Sequence, residues 1–286
     1  MNLSNAFSEL NGWILIAAFI VFLLQSALNA KRWMVVMAFF GVNSRFLPIL
    51  RITFISLFVN QGLPSFIGGD ALRVYWLNRK EKQLKEAVNS VLVDRIIALI
   101  GLAAFLFIGA PGFIYLFGLT SATEGVLLLS GAVFVGILTF FSLPVMFSPN
   151  STIKLLRNLV ELASRTKRLL FSAKMGKVVV VQAIGIHGLS VFAIYLLALG
   201  FGSSVSFIDL LIVIPPVILI SVMPISIAGW GVRESAMIAA LGMLAVPAET
   251  ALALSLTIGG LSFINGLCGL PLLVFGPERF VGAATE

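Results

Sequence analysis

Long runs of apolar residues, separated by short polar connections, dominate the chain. Five runs reach the roughly 20 apolar residues that a helix needs to cross a bilayer, and they are 12–30, 88–110, 126–147, 178–199 and 250–276. Two more runs, 46–67 and 207–228, are long enough but are broken by glycine and proline, whereas 33–42 and 235–247 are too short to span alone. The pattern predicts an all-α polytopic integral membrane protein.

Composition supports that class. Of 286 residues, 59% are hydrophobic and only 11% are charged, more apolar surface than a soluble domain can bury. The first eleven residues contain no Lys or Arg, so we expect no cleaved signal peptide. The single cysteine, Cys268, excludes an intramolecular disulfide and is interpreted as a small buried hydrophobe.

The distribution of Lys and Arg predicts the orientation. Seven of the nineteen basic residues lie in 154–177, five lie in 73–85, and Lys31 and Arg32 follow the first span. Because short loops rich in Lys and Arg stay in the cytoplasm, these three regions are predicted to be cytoplasmic. The N-terminus, 111–125 and 200–209 are predicted to lie outside, and the C-terminus inside. Membrane topology thus explains the net charge of +7, and we expect no nucleic-acid partner.

If 31–32 and 73–85 share one side, 46–67 cannot be a single crossing between them. Either 33–42 joins another segment to cross, or 46–67 enters the membrane and returns. The stretch "NQGLPSFIGGDALR" favours the second option, because Pro64 removes a backbone donor and Gly62, Gly68 and Gly69 permit a reversal. Asp70 is then placed to cap a helix starting near Ala71.

A similar stretch occurs later in the chain. "LPSFIGGDALR" (63–73) and "MPISIAGWGVR" (223–233) align without gaps and share four residues, including Pro64 with Pro224 and Arg73 with Arg233. Each copy follows a span and an interrupted run and precedes another span. We therefore expect inverted-topology repeats with two re-entrant hairpins, in which Gly229 and Gly231 shape the second break; two unrelated proline-glycine turns are the alternative. The predicted organisation is one membrane domain, 1–286, comprising a first repeat (12–110), a connecting span (126–147), a cytoplasmic amphipathic basic segment (154–177) and a second repeat (178–276).

"LPSFIGGDALR", "VDRIIAL" and "GWGVRES" resemble the flippase-like family formed by the membrane region of lysylphosphatidylglycerol synthases. The resemblance covers essentially the whole chain. It implies a module that moves a lipid between leaflets in a bacterial or archaeal plasma membrane. The chain ends at "GPERFVGAATE", so we expect the soluble aminoacyl-transferase domain of the synthases, and its chemistry, to be absent.

The predicted substrate-binding residues are those that bring charge, amides or helix ends to the two motifs. Arginine is well suited to bind phosphate because its planar guanidinium donates two parallel hydrogen bonds. Ionisable residues inside a span are costly, so they are interpreted as functional unless a structural reason is found. The set is Asn60, Gln61, Gly68, Gly69, Asp70, Arg73, Asp94, Arg95, Trp230, Arg233 and Glu234. Each residue also has a structural alternative. The arginines could anchor the topology, and the acids could form internal ion pairs. The amides could hydrogen-bond to the broken backbone, and Trp230 could lie among the aromatic residues at the membrane interface.

No phosphate-binding loop and no metal-ligand cluster appears in the sequence, so we expect a transporter that needs no cofactor and no metal, rather than an enzyme. The expected partners are a phospholipid or other polar lipid and, for 154–177, an anionic leaflet surface. A lipid-synthesis enzyme and a second copy of the chain are further candidate partners. A membrane-embedded transferase or a scaffold subunit, acting in modification of lipids or lipid-linked glycans, is the alternative function.

Overall fold

The computed structural model describes residues 11–62, 67–148, 152–223, 226 and 229–275. These residues form helices joined by short connections. The helices are α1 (Gly12–Phe39), α2 (Phe46–Asn60), α3 (Ile67–Glu81), α4 (Leu84–Phe117), α5 (Ser121–Met146), α6 (Lys154–Leu170), α7 (Met175–Gly200), α8 (Phe207–Val222), α9 (Val232–Gly242), α10 (Ala248–Leu267) and α11 (Gly269–Val274). Pro64 and Pro224 lie outside the described residues.

Within the described ranges, five apolar segments are long enough to cross a membrane, which confirms a polytopic membrane protein. They are α1, α4, α5, α7 and the continuous stretch Ala248–Val274 formed by α10 and α11. Four of these spans are longer than predicted, and the last has the predicted length. In particular, α4 continues through Pro111 to Phe117, so only 118–120 connect it to α5.

The first helix corrects one prediction. Lys31 and Arg32 are not in a loop, because α1 continues without a break to Phe39 and absorbs most of the run 33–42. Arg32 is only 2% exposed and forms an ion pair with Asp94 of α4. A buried partner makes an arginine tolerable inside a helix bundle, and the charge pattern alone does not reveal that partner.

Each interrupted run supplies one helix, α2 or α8, which packs against the next helix along the chain; we call the pairs α2–α3 and α8–α9 helical hairpins. Ile49 of α2 and Leu77 of α3 belong to one buried apolar cluster, and the start of α3 returns to the end of α2, where the Gly69 amide donates to Asn60 Oδ1 at 2.7 Å. Leu210 and Ile214 of α8 share another cluster with Leu241 of α9. With about 1.5 Å per residue, α2 and α8 are each about 24 Å long or less, shorter than a hydrocarbon core of about 30 Å.

The order of span, hairpin and span occurs twice, as α1, α2–α3, α4 and as α7, α8–α9, α10. The first spans of the two units pack on each other, where Gln25 Nε2 donates to Ser190 Oγ. Each hairpin also packs on the closing span of the other unit. The contact is close in both cases: a Cβ on Gly112 of α4 would collide with Ile212 of α8, and one on Gly269 after α10 with the Phe54 backbone of α2.

Helices α5 and α6 connect the two units. The basic helix α6 is amphipathic, with Val160, Leu162 and Leu169 buried against the bundle. It is held to the start of α4 by ion pairs from Lys85 to Glu161 and from Arg165 to Glu86. The hydrogen bond from Lys85 and the nearby Arg165 charge outweigh partial burial and lower the pKa of Glu161 below its usual value.

Two local expectations are wrong. Asp70 does not cap a helix at Ala71, because α3 already begins at Ile67 and places Asp70 in its first turn. Cys268 is exposed on the outside of the bundle rather than buried. An apolar run does not distinguish a core position from a lipid-facing one, since both surroundings are apolar.

Candidate functional site

The first motif brings α3 close to α2. An added Cβ at Gly69 would lie 2.5 Å from the Ser56 carbonyl oxygen and against the Asn60 amide, so only glycine fits this approach. Asn60 is 9% exposed, and its Oδ1 accepts the Gly69 N–H, one of the N-terminal amides that a helix leaves without an internal partner. By contrast, a Cβ at Gly62 would meet nothing within 4 Å, so nothing in the described structure requires a glycine there.

Arg73 of this motif is buried inside the protein. It is 5% exposed, its Nη1 lies 3.4 Å from Asp94 Oδ2, and its guanidinium stacks 4.5 Å from the centre of the Trp33 ring. Arg32 contacts the same carboxylate, with Nε 2.8 Å from Asp94 Oδ1. We call Arg32, Arg73 and Asp94 the buried charge cluster. Its two arginines and one aspartate leave one uncompensated positive charge.

Asp70 and Arg95 form a separate pair beside this cluster. Arg95 donates from Nε and Nη2 to the two carboxylate oxygens of Asp70, at 2.7 and 2.6 Å. This bidentate geometry is the strongest that an arginine and a carboxylate can adopt. The pair balances its own charge, so the excess positive charge stays with the buried charge cluster.

The second motif is built differently. Gly229 and Gly231 have φ of +79° and +83°, in the left-handed region that favours glycine, and α9 begins directly after them. Glu234 accepts the Gly231 N–H at the start of α9 and also binds Arg233 Nη2 at 2.7 Å. Arg233 in turn stacks on Trp230, 4.9 Å from the ring centre.

Helix α10 supplies small residues that accommodate both motifs. A Cβ at Gly259 would collide with the Arg233 guanidinium and the Trp230 indole, and Ser255 Oγ contacts both Arg233 and Glu234 at 3.3 Å. One and two turns further along, Gln61 donates to the Ser262 carbonyl at 3.2 Å and lies against Gly266. The end of α2 and the start of α9 therefore both lie against α10.

Between them lies a cavity of about 330 Å³. Its polar lining comes from the ends of α2 and α8, from the second motif and from three spans. It comprises Gln25, Ser26, Asn29, Asn60, Gln61, Ser190, Ser221, Ser226, Trp230, Arg233, Ser262 and Asn265. Gln25 and Asn29 lie about 20 to 26 Å along α1, a helix about 42 Å long, so the cavity is near mid-span. Val222, Met223 and Trp230 are 39–45% exposed and form its rim.

The predicted site residues thus fall into two groups. Asn60, Gln61, Gly229, Trp230 and Arg233 line the cavity. The lining does not include Arg73, Asp94, Asp70, Arg95, Gly68, Gly69, Glu234, Gly62 or Gly231. The buried charge cluster still adjoins the cavity, because Arg32 Nη2 donates to Asn29 Oδ1 at 3.2 Å and Asn29 belongs to the lining.

Sequence reasoning missed Gln25, Ser26, Asn29, Arg32 and Asn265. The overlooked signal is the run of polar residues within the apolar stretch of α1, at a spacing of three to four residues that places them on one helix face. Asn265 is a similar isolated amide in α10. Among the described residues, no group of three His, Cys, Asp or Glu side chains is placed to hold a metal ion. A second cavity, of about 380 Å³ beside Lys174 and Asn43, is lined by none of the predicted site residues.

A helical bundle with five long apolar helices among its described residues defines this chain as a polytopic membrane protein. The family model for the lysylphosphatidylglycerol synthase TM region matches residues 1–269. The chain therefore belongs to that family.

The chain is also similar to the UPF0104 membrane protein MJ1595 of Methanocaldococcus jannaschii. The two are 33% identical over 84 residues, which are 29% of this chain and 25% of that relative. The aligned part thus spans about a quarter of the relative's length. No solved structure matches the chain.

Proposed function

We propose that the protein is a lipid translocase that carries a polar headgroup between leaflets through the cavity. The observation that carries this proposal is that the end of α2, directly before the first motif, and residues of the second motif line one polar cavity near mid-span. A charged headgroup in hydrocarbon costs about 3 to more than 10 kcal/mol, so a pathway needs polar groups at that depth. A volume of 330 Å³ falls in the range that accommodates small ligands, while the acyl chains would stay in lipid beside the rim.

In this mechanism Arg233 is the phosphate contact. It lies in the lining, and its partner Glu234 and the Trp230 ring hold its guanidinium in place. The amides and hydroxyls of the lining replace water around the rest of the headgroup. Arg73 would act indirectly, since its guanidinium already pairs with Asp94 and stacks on Trp33.

The two hairpins would re-enter the membrane from opposite sides. If each of the five long segments crosses once, three crossings separate the start of α1 from the start of α7, which inverts the second unit. The N-terminus would then lie outside and the C-terminus in the cytoplasm, as the distribution of Lys and Arg requires. A plasma-membrane location fits the same orientation. Broken backbone at membrane depth would be tolerated because it lines a cavity.

The test is a leaflet-exchange assay in liposomes containing purified protein and a phosphatidylglycerol labelled on its acyl chain, with a membrane-impermeant quencher. We expect exchange in the presence of chelator and without nucleotide. Arg233→Ala should abolish most of it, whereas Arg157→Ala, which removes an exposed arginine on α6, is the matched control and should not. Exchange equal to that of protein-free liposomes would refute the proposal. A modified lipid product instead of exchange would indicate a transferase.

A further inference from the structure

The cavity carries a single kind of charge. Among the described lining residues the only charged side chain is Arg233, and none is Asp, Glu, Lys or His. The neighbouring buried charge cluster adds one uncompensated positive charge, linked to the lining through Asn29. Glu234, which is outside the lining, balances the charge of Arg233 through their ion pair at 2.7 Å, so the excess positive charge comes from the buried charge cluster. This excess favours an anion over a cation, because screening by water is weak at such depth.

The remaining polar groups of the lining are amides, hydroxyls and the Trp230 indole, and two of them have no partner in the described part of the chain. Ser226 Oγ and Asn265 Oδ1 are buried without a hydrogen bond to any described residue. The orientation of the Asn265 amide follows from its neighbour. Ser26 donates its hydroxyl hydrogen to the Phe22 carbonyl, so its oxygen accepts from Asn265 Nδ2 at 2.9 Å. Asn265 Oδ1 therefore receives no hydrogen bond from Ser26.

A buried acceptor without a donor is costly, so such a group indicates a ligand that donates to it. Asn265 is 5% exposed and lines the cavity. A carbonyl oxygen accepts only, so Oδ1 requires a ligand O–H or N–H. A ligand ammonium would meet this need but would face the positive charge of Arg233 and the buried charge cluster. A ligand hydroxyl meets it without that penalty.

We propose that the headgroup accepted by this cavity is an anionic polyol, with one phosphate at Arg233 and free hydroxyl groups at Asn265 and Ser226. Headgroups that end in an amine or a quaternary ammonium are disfavoured. This inference rests on the proposed translocase function and names its substrate class.

The experiment is a headgroup panel in the leaflet-exchange assay, with the acyl-chain label kept constant. Phosphatidylglycerol and phosphatidylinositol carry phosphate and hydroxyls, phosphatidic acid carries phosphate alone, and phosphatidylethanolamine and phosphatidylcholine carry a cation. We expect the two polyol lipids to exchange at least about tenfold faster than the two cationic ones, with phosphatidic acid in between.

Ser226→Ala separates a ligand contact from a structural role. Because Ser226 Oγ has no hydrogen-bond partner among the described residues, its removal should leave the thermal midpoint unchanged. It should slow exchange of polyol lipids about fivefold, the effect of one hydrogen bond. Ser204→Ala, at an exposed loop position, is the control and should change neither. Asn265→Asp introduces a carboxylate into a lining that has none among its described residues. It should raise the exchange rate of phosphatidylethanolamine relative to that of phosphatidylglycerol at least about tenfold.

The outcomes separate the two proposals. If cationic and polyol lipids exchange equally fast, or if Ser226→Ala leaves every rate unchanged, the substrate class is wrong while the translocase function stands. If no lipid exchanges, the translocase function fails and the substrate class fails with it. Competition by free glycerol phosphate at concentrations matching the lipid would show that the site takes the headgroup without its acyl chains, which would contradict a lipid substrate.

Discussion

The two motifs share four of eleven residues but differ in their structure. Arg73 and Arg233 occupy equivalent positions in the gapless alignment, yet Arg73 is buried under Trp33 and Asp94 whereas Arg233 lines the cavity. The aligned glycines differ as well, since Gly69 lies inside α3 and Gly229 is in a left-handed turn before α9. A short repeated motif therefore places equivalent arginines in two roles: one holds a helix hairpin in place, and the other is available to a ligand.

The largest effect should come from the acid that holds the first arginine. Asp94→Asn leaves Arg32 and Arg73 buried without a counter-charge, which should cost about 3–5 kcal/mol of stability. Thermal unfolding of the purified protein in detergent measures it. Glu124→Gln, at an exposed acid in the first turn of α5, is the control and should cost less than about 1 kcal/mol. An unchanged midpoint for Asp94→Asn would show that the buried charge cluster does not stabilise the fold.

Conservative substitution of the two arginines should give opposite results. Arg73→Lys keeps the charge but loses the planar group stacked on Trp33, so it should lower stability by about 2 kcal/mol while folded protein keeps its exchange rate. Arg233→Lys should keep the thermal midpoint near that of the wild type and slow exchange about tenfold, because a lysine does not form the bidentate phosphate contact.

Measuring the thermal midpoint and the exchange rate for both variants tests this pairing of effects. If Arg73→Lys slowed exchange without loss of stability, Arg73 would be a direct ligand contact, and the difference drawn here between the two motifs would be wrong.

The smallest structural effect is expected from cysteines that report on orientation. Arg79→Cys at the end of the first hairpin and Ser204→Cys before the second both replace exposed residues, so neither should disturb folding. In a Cys268→Ser background, an impermeant thiol reagent should label residue 204 in intact cells and residue 79 only after permeabilisation. Labelling of both residues from one side would rule out the inverted orientation of the two units.

Several features of the site were predictable because they depend on local chemistry. The ends of α2 at Asn60 and of α8 at Val222 follow from clustered glycine and proline in apolar runs. Asn60, Gln61, Trp230 and Arg233 were selected from the same stretches. The partners of those residues were not predictable. Arg32 was assigned to a loop because nothing in its own segment reveals an aspartate 62 positions away.

By itself, the sequence determined the class of protein, the five membrane spans and the two breaks, because apolar run length and backbone breakers act within a segment. The sequence also identified the arginines as unusual, because a charged side chain within an apolar run is energetically costly in a membrane. Only the tertiary structure decided that Arg73 is buried against Asp94 and that Arg233, paired with Glu234, faces a cavity. That outcome depends on α4 bringing Asp94 to one motif and α10 bringing Gly259 and Asn265 to the other, and contacts between distant helices are set by packing of the whole bundle rather than by any single stretch of residues.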